Sequence, residues 1–212
     1  MTRSDSALQA STRTSSYQQD LPGLGQLRLV RIAPDDDAPL LHSWVSEERA
    51  RYWGMGSLGE EEVREIYQFL DGLVTHHGYL ILVADQPAGI FQTYEPEHDP
   101  VGEAYPVHAG DAGIHLLLAP AAQPVPGFTA AVLSALLAFV FADSTVRRVV
   151  AEPDARNSKA VARFLSFGFE PDARVQLAEK EAQLVFLTRQ VFEAQEEDQP
   201  GWARAGRVGQ SG

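Results

Sequence analysis

Apolar positions along this chain fall into two rhythms, and the change between them marks its elements. The run Asp111-Ala-Gly-Ile-His-Leu-Leu-Leu-Ala119 reads as a strand. After a loop carrying proline and glycine (120–127), residues 128–141 are apolar nearly all round, with Phe128, Val132, Leu133, Leu136, Leu137, Phe139 and Val140. That pattern predicts a helix buried on both sides. Residues 148–151 give a second strand, and a short helical pattern from Asn157 to Phe167 is stopped by Gly168. Strand, helix, strand and helix in this order predict a parallel βαβ unit with a right-handed crossover. Ligands of such units sit at the carboxyl ends of the strands, beside the helix N-terminus.

Upstream, 27–32 reads as a strand, although Leu27, Leu29, Val30 and Ile32 leave it no clear polar face. Pro34 opens a helix with Asp35, Asp36 and Asp37 in its first turn, where carboxylates suit the dipole. Leu40, Leu41, Trp44 and Val45 are its core face. A second helix spans 60–73, with Val63, Ile66, Tyr67 and Leu70 inward. Residues 79–84 and 88–94 form a hairpin around Asp85-Gln-Pro. A proline-rich loop, 95–110, precedes the central unit, and 174–178 and 183–188 give two later strands. Residues 1–25, rich in Ser, Thr, Gln and Gly, read as disordered, and 193–212 as a flexible solvated tail. One folded domain over 26–192 is the expectation.

The composition narrows the function. With 212 residues and 44% hydrophobic content the chain can bury a sizeable core. The absence of cysteine excludes disulfides, thiolate ligands and thiol nucleophiles. A net charge of −12 argues against general nucleic-acid binding and suits a cationic small substrate. Neither a membrane span nor a signal peptide is evident, which points to the cytoplasm.

Chemistry concentrates in the central unit. Alternation places His115 with Asp111, Gly113 and Leu117, away from the more apolar Ile114, Leu116 and Leu118. His115 reads either as a half-buried histidine bonded to a neighbour or as a cleft residue. The start of the long helix, Pro126-Gly127-Phe128-Thr129, leaves its first amides uncapped. It is either an anion site for a phosphate-bearing cofactor or an ordinary turn. Asp154 ends a strand, and Asn157 is a plausible N-cap. The pairs at 76–77 and 98–99 lack metal-ligand spacing and read as loop or surface residues.

These segments resemble the GNAT acyltransferase superfamily over about 27–192. The resemblance implies an α/β fold: a central twisted mixed sheet with helices on both faces. Gly127 stands at the family's main glycine, while Pro124 and Thr129 replace a usual Gln or Arg and a second small residue. Phe164 stands where many members carry a tyrosine acid. The segments Gly110-Asp-Ala-Gly-Ile-His115, Pro126-Gly-Phe-Thr129 and Glu152-Pro-Asp-Ala-Arg-Asn157 are most similar to the siderophore-biosynthesis branch, which includes the aerobactin, mycobactin and desferrioxamine acyltransferases. Its members acylate the hydroxylamine of N6-hydroxylysine or of an N-hydroxydiamine such as N-hydroxycadaverine.

The resemblance implies His115 and Asp154 as catalytic residues and acetyl-CoA or another acyl-CoA as co-substrate, with no metal. CoA would lie along Leu116, Leu117, Leu118, Val125, Gly127, Phe128, Thr129 and Asn157. Trp44, Gln92, Tyr94 and Asp111 would face the substrate. The expected partner is a small N-hydroxylated amine, with no nucleic acid and no membrane, on a monomer or homodimer. Two rival readings are an acyltransferase of an ordinary amine, such as an antibiotic or a protein N-terminus, and a catalytically silent CoA-binding module.

Overall fold

The computed structural model describes residues 10–121 and 123–198. Its strands are β1 (Ser15–Leu21), β2 (Gly25–Arg31), β3 (His76–Val83), β4 (Gln86–Tyr94), β5 (Asp111–Leu118), β6 (Arg148–Ala151), β7 (Glu170–Gln176) and β8 (Glu181–Thr188). The helices are α1 (Pro34–Val45), α2 (Glu60–Asp71), α3 (Phe128–Phe141), α4 (Ser158–Leu165) and α5 (Arg189–Asp198). Short 3₁₀ turns lie at Glu48–Trp53, Pro96–His98 and Pro100–Glu103. The strands make one sheet in the order β1-β2-β3-β4-β5-β6-β8-β7. Every neighbouring pair is antiparallel except β5 and β6.

Both faces of the sheet are covered. Leu27, Leu29, Tyr79, Ile81, Phe91 and Ile114 pack with α3, and Phe192 of α5 joins them. Val30, Leu80, Leu82, Ile90 and Leu117 pack with Leu41 and Trp44 of α1 and Val63 and Tyr67 of α2. Burial on both sides explains why β2 showed no polar face in the sequence. No described helix is long and apolar enough to cross a membrane.

The central βαβ unit forms as expected. The hairpin turn falls one residue earlier than read, with Ala84 and Asp85 at φ 48° and 59°, the two-residue geometry that matches strand twist. His76 and His77 open β3 rather than lying in a loop.

Two terminal expectations are corrected. Residues 15–21 are strand β1, paired with β2 through Leu21↔Gly25. Tyr17, Gln19 and Leu21 turn inward, and Tyr17 donates to Gln19 Oε1 at 2.6 Å. A polar-looking strand therefore edges the sheet. Arg13 clamps the buried Asp37 carboxylate with two bonds of 2.6 Å, and Asp37 also accepts from Ala33 N at 2.8 Å. Residues 193–198 continue α5 rather than beginning a tail, whereas 1–9 and 199–212 lie outside the described residues.

Candidate functional site

The feature that creates a site is the incomplete pairing of β5 with β6. Their parallel register holds for Asp111↔Arg148, Ala112↔Val149 and Gly113↔Val150. Beyond Gly113, β5 stays paired with β4 through Leu118, but its other edge is open. Ala119 N donates to Ala88 O of the β4 side at 2.8 Å. Strand alternation therefore turns the amides of Leu118 and Leu116 toward the open edge, and that of Leu117 away from it.

His115 and Glu152 meet at the fork of this V. Extending the register by two residues from Gly113↔Val150 brings them opposite each other. His115 Nε2 bonds Glu152 Oε1, and its Nδ1 lies 3.1 Å from Gln92 Oε1 of β4. The His115 side chain is 33% exposed and that of Glu152 4%. Tyr94 donates to the other Glu152 oxygen at 2.7 Å, and Lys180 Nζ stands 3.5 Å from Oε1. Burial pushes the Glu152 carboxyl up, but the His115 charge and hydrogen bond outweigh it, helped by Lys180 and Tyr94, and hold it at about 2. Burial first, and then the Glu152 charge, push the Tyr94 phenol well above its ordinary value.

Gly113 makes this arrangement possible. Tyr94 is paired opposite it, and a Cβ at position 113 would lie inside the Tyr94 ring. The bare backbone lets the ring cross β5 and reach Glu152. The ring centroids of Tyr94 and His115 are 4.8 Å apart. Trp53 closes the other side, edge-on to His115 at 6.2 Å.

Asp154, expected as a catalytic residue, is engaged by Arg156. Arg156 Nε and a terminal guanidinium nitrogen donate to its two oxygens at 2.9 and 2.6 Å, and Arg156 N donates at 2.8 Å. The Arg156 bonds hold the Asp154 carboxyl below its usual range. Among the described residues the carboxylate that meets His115 is Glu152, which the sequence reading did not single out. The missed signal was positional: Glu152 directly follows β6, at the strand end that faces the cleft.

Two expected substrate residues are elsewhere. Trp44 is 3% exposed in the core under α1. Asp111 is held by Arg148 through bonds of 2.8 and 2.7 Å, with further bonds from Tyr105 and His108 N, at the closed end of the V. It locks β5 to β6 four residues before His115.

The loop before α3 keeps the expected form. Gly127 has φ 78° with open space where a Cβ would stand, and no side chain caps the helix. Phe128 N donates to Val125 O at 3.2 Å and Ala131 N to Gly127 O at 2.9 Å. The amides of Thr129 and Ala130 have no carbonyl a turn earlier within the helix. Asn157 Oδ1 caps α4 by accepting from Ala160 N at 3.2 Å. Phe164 is buried against Phe169 and offers no hydroxyl.

Two other features do not include His115. A cleft of about 1500 Å³ on the α3 side is lined by Tyr17, His77, Glu95, Asp143 and Glu193. Glu95, Glu97 and His98 bring ligand atoms within 4.8 Å of one another, all exposed.

A family model described as an acetyltransferase (GNAT) domain matches residues 33–177. The chain belongs to that family, and is an N-acyltransferase with acyl-CoA as co-substrate. An aminoglycoside N(6')-acetyltransferase type 1 of Klebsiella pneumoniae is 25% identical over 178 residues, which are 77% of this chain and 84% of that protein. A Schizosaccharomyces pombe protein, provisionally named a lysine N-acyltransferase, is 24% identical over 179 residues, 83% of this chain and 54% of that one. Among solved structures, an uncharacterized Bacillus halodurans protein matches with a TM-score of 0.80 at 26% identity, covering 88% of this chain and 96% of that one. The aminoglycoside acetyltransferase AAC(6')-Ib with ribostamycin and coenzyme A matches with a TM-score of 0.69 at 24% identity, covering 79% and 96%. This last likeness is one of fold.

Proposed function

We propose that this GNAT acyltransferase acylates the hydroxylamine nitrogen of N6-hydroxylysine, or of an N-hydroxydiamine such as N-hydroxycadaverine, forming a hydroxamate for siderophore assembly. Acetyl-CoA or succinyl-CoA supplies the acyl group. One observation carries the reading: each buried carboxylate around the fork is already matched by a cation of the chain. Glu152 has Lys180, Asp154 has Arg156, and Asp111 has Arg148. No buried carboxylate there is left to hold an ammonium group, so the site suits a nitrogen that arrives neutral. A lysine-type amine, with a pKa near ~10.4, is almost wholly protonated at pH 7. The adjacent oxygen of a hydroxylamine lowers the basicity of its nitrogen by several units.

The residues then divide the work. CoA pyrophosphate rests on the uncapped amides around Gly127, Phe128 and Thr129 beside Val125, and the pantetheine arm follows the open edge of β5. The amides of Leu116 and Leu118 face the thioester carbonyl and stabilise the oxyanion. Glu152 holds Nε2–H of His115, leaving Nδ1 toward Gln92. Gln92, whose Oε1 faces Nδ1, turns away to admit the substrate nitrogen. After attack the nitrogen passes its proton to Nδ1, forming an imidazolium beside a carboxylate that stays ionised. The thiolate of CoA leaves and takes its proton from water, since Phe164 provides none. Asp154 and Asn157 shape the wall through Arg156 and the α4 cap.

The Klebsiella relative favours a second reading, in which the acceptor is an ordinary amine of an aminoglycoside. The yeast relative is named for acylation of lysine, the unhydroxylated parent of the first acceptor. Steady-state kinetics with N6-hydroxylysine and lysine decide between them. The expected kcat/KM ratio is at least ~10² for the hydroxylated substrate at pH 7, about 2.7 kcal/mol of discrimination, narrowing toward pH 9. Equal rates at pH 7, or faster turnover of kanamycin, would replace the hydroxamate reading with the amine one.

A further inference from the structure

The same site carries a cation that the transfer step does not use. Lys180 is one of two lysines in the chain. It sits in the turn from β7 to β8, closed by Leu177 N donating to Lys180 O at 2.9 Å. Backbone bonds tie this hairpin to the segment after β6: Ala155 N to Glu181 O and Gln183 N to Pro153 O, both 2.9 Å. The hairpin therefore holds the Lys180 backbone beside the segment that carries Glu152. Its described bond is a single long one of 3.5 Å to Glu152 Oε1, the oxygen that also receives His115. An ammonium has three donors, and the side chain is 23% exposed.

Two guanidinium groups stand at the rim, each paired with a carboxylate: Arg51 with Glu48 at 3.3 Å and Arg156 with Asp154 at 2.6 Å. Tyr52 lies between two guanidinium groups, Arg51 at 4.5 Å and Arg156 at 5.8 Å from its ring, and Tyr52 donates to Arg156 O at 3.3 Å.

We propose that Lys180 is the floor of a carboxylate subsite, which selects a substrate carrying a carboxylate in addition to the reacting nitrogen. This rests on the acyl transfer proposed above. An amino acid meets the requirement through its own carboxylate. A dicarboxylic acyl donor meets it through the far end of the acyl chain. A polycationic acceptor does not. Because the ammonium and the ring share Glu152 Oε1, a bound carboxylate lies within one side chain of the reacting centre.

The test compares substrates that differ only by the carboxylate: N6-hydroxylysine with N-hydroxycadaverine, lysine with cadaverine, and succinyl-CoA with acetyl-CoA. The wild-type enzyme is expected to prefer the carboxylate-bearing member of an acceptor pair, or of the donor pair, by at least ~10-fold in kcat/KM. Lys180→Gln should abolish that preference through KM, and Lys180→Arg should restore part of it. The pair that responds identifies whether acceptor or donor brings the carboxylate. Hydroxylated against unhydroxylated acceptors tests the nitrogen separately, so the hydroxamate reading can fail while this one stands. Absence of a carboxylate preference in all three pairs of the wild type would overturn the subsite without any variant. So would an equal loss on every substrate in Lys180→Gln, which would reduce Lys180 to a counter-charge for Glu152.

Discussion

Tyr94 reaches Glu152 across the full width of β5, donating its phenol hydrogen at 2.7 Å over the bare backbone of Gly113. The strand that carries the candidate base is thus bridged by a bond between its two neighbours. Gly113→Ala should push the ring aside. Overpacking of this kind costs ~1–3 kcal/mol, and kcat should fall at least ~10-fold as Glu152 loses a partner. Thermal unfolding and steady-state rates check both; an unchanged melting point and rate would show that the ring has another path.

Glu152 sets a pH dependence of stability. Its carboxyl is held at about 2 in the fold against 4.5 for the unperturbed group. A depressed carboxyl contributes stability above its unfolded pKa and loses it as pH falls through the folded one. Acid titration of the wild type should therefore lose stability between about pH 4.5 and about 2. Glu152→Gln should show a shallower decline there, and a kcat at least ~10²-fold lower at pH 7. Parallel acid curves for the two proteins would count against this role.

His115→Ala should lower kcat by ~10² or more with acyl-CoA affinity little changed, the scale of a lost general base. Calorimetry with CoA separates the two effects. Near-wild-type turnover would make the ring a structural partner of Glu152.

The loop before α3 is best tested by an isosteric pair. Gly127→Asn and Gly127→Asp impose the same backbone strain at φ 78° and differ only in charge. Asp should weaken acyl-CoA at least ~10-fold more than Asn, since it sets a carboxylate against a pyrophosphate. Equal affinities would place the pyrophosphate elsewhere.

Removing residues 1–24 should unfold or severely destabilise the protein. It deletes β1 and strips Arg13 from the buried Asp37. Arg13→Ala alone should cost about 3–5 kcal/mol, the usual penalty for an unpaired buried charge. Chemical denaturation measures it.

The sequence was most informative where apolar periodicity was strong. α3, β5 and the β3–β4 hairpin stand out because their side chains bury deeply, and the form of the Gly127 loop follows from Pro126, Gly127 and the missing cap. β1 escaped notice because only Tyr17 and Leu21 of its inward residues are apolar, and Gln19 between them is satisfied by Tyr17. Trp44 and Trp53 look alike in sequence, but the first lies on the buried face of α1 and the second in a 3₁₀ turn beside His115. Asp154 and Glu152 posed the harder choice. Two carboxylates two residues apart are separable only once the β5–β6 register is known, and long-range register leaves no local trace.

Three residue pairs are all that join β5 to β6. The sheet is therefore two antiparallel blocks, five strands and three strands wide, whose ladders meet along a short seam. The Asp111–Arg148 ion pair rivets one end, and the other end opens at His115. Loosening the rivet with Arg148→Ala should then lower kcat at His115 from the far end of the strand.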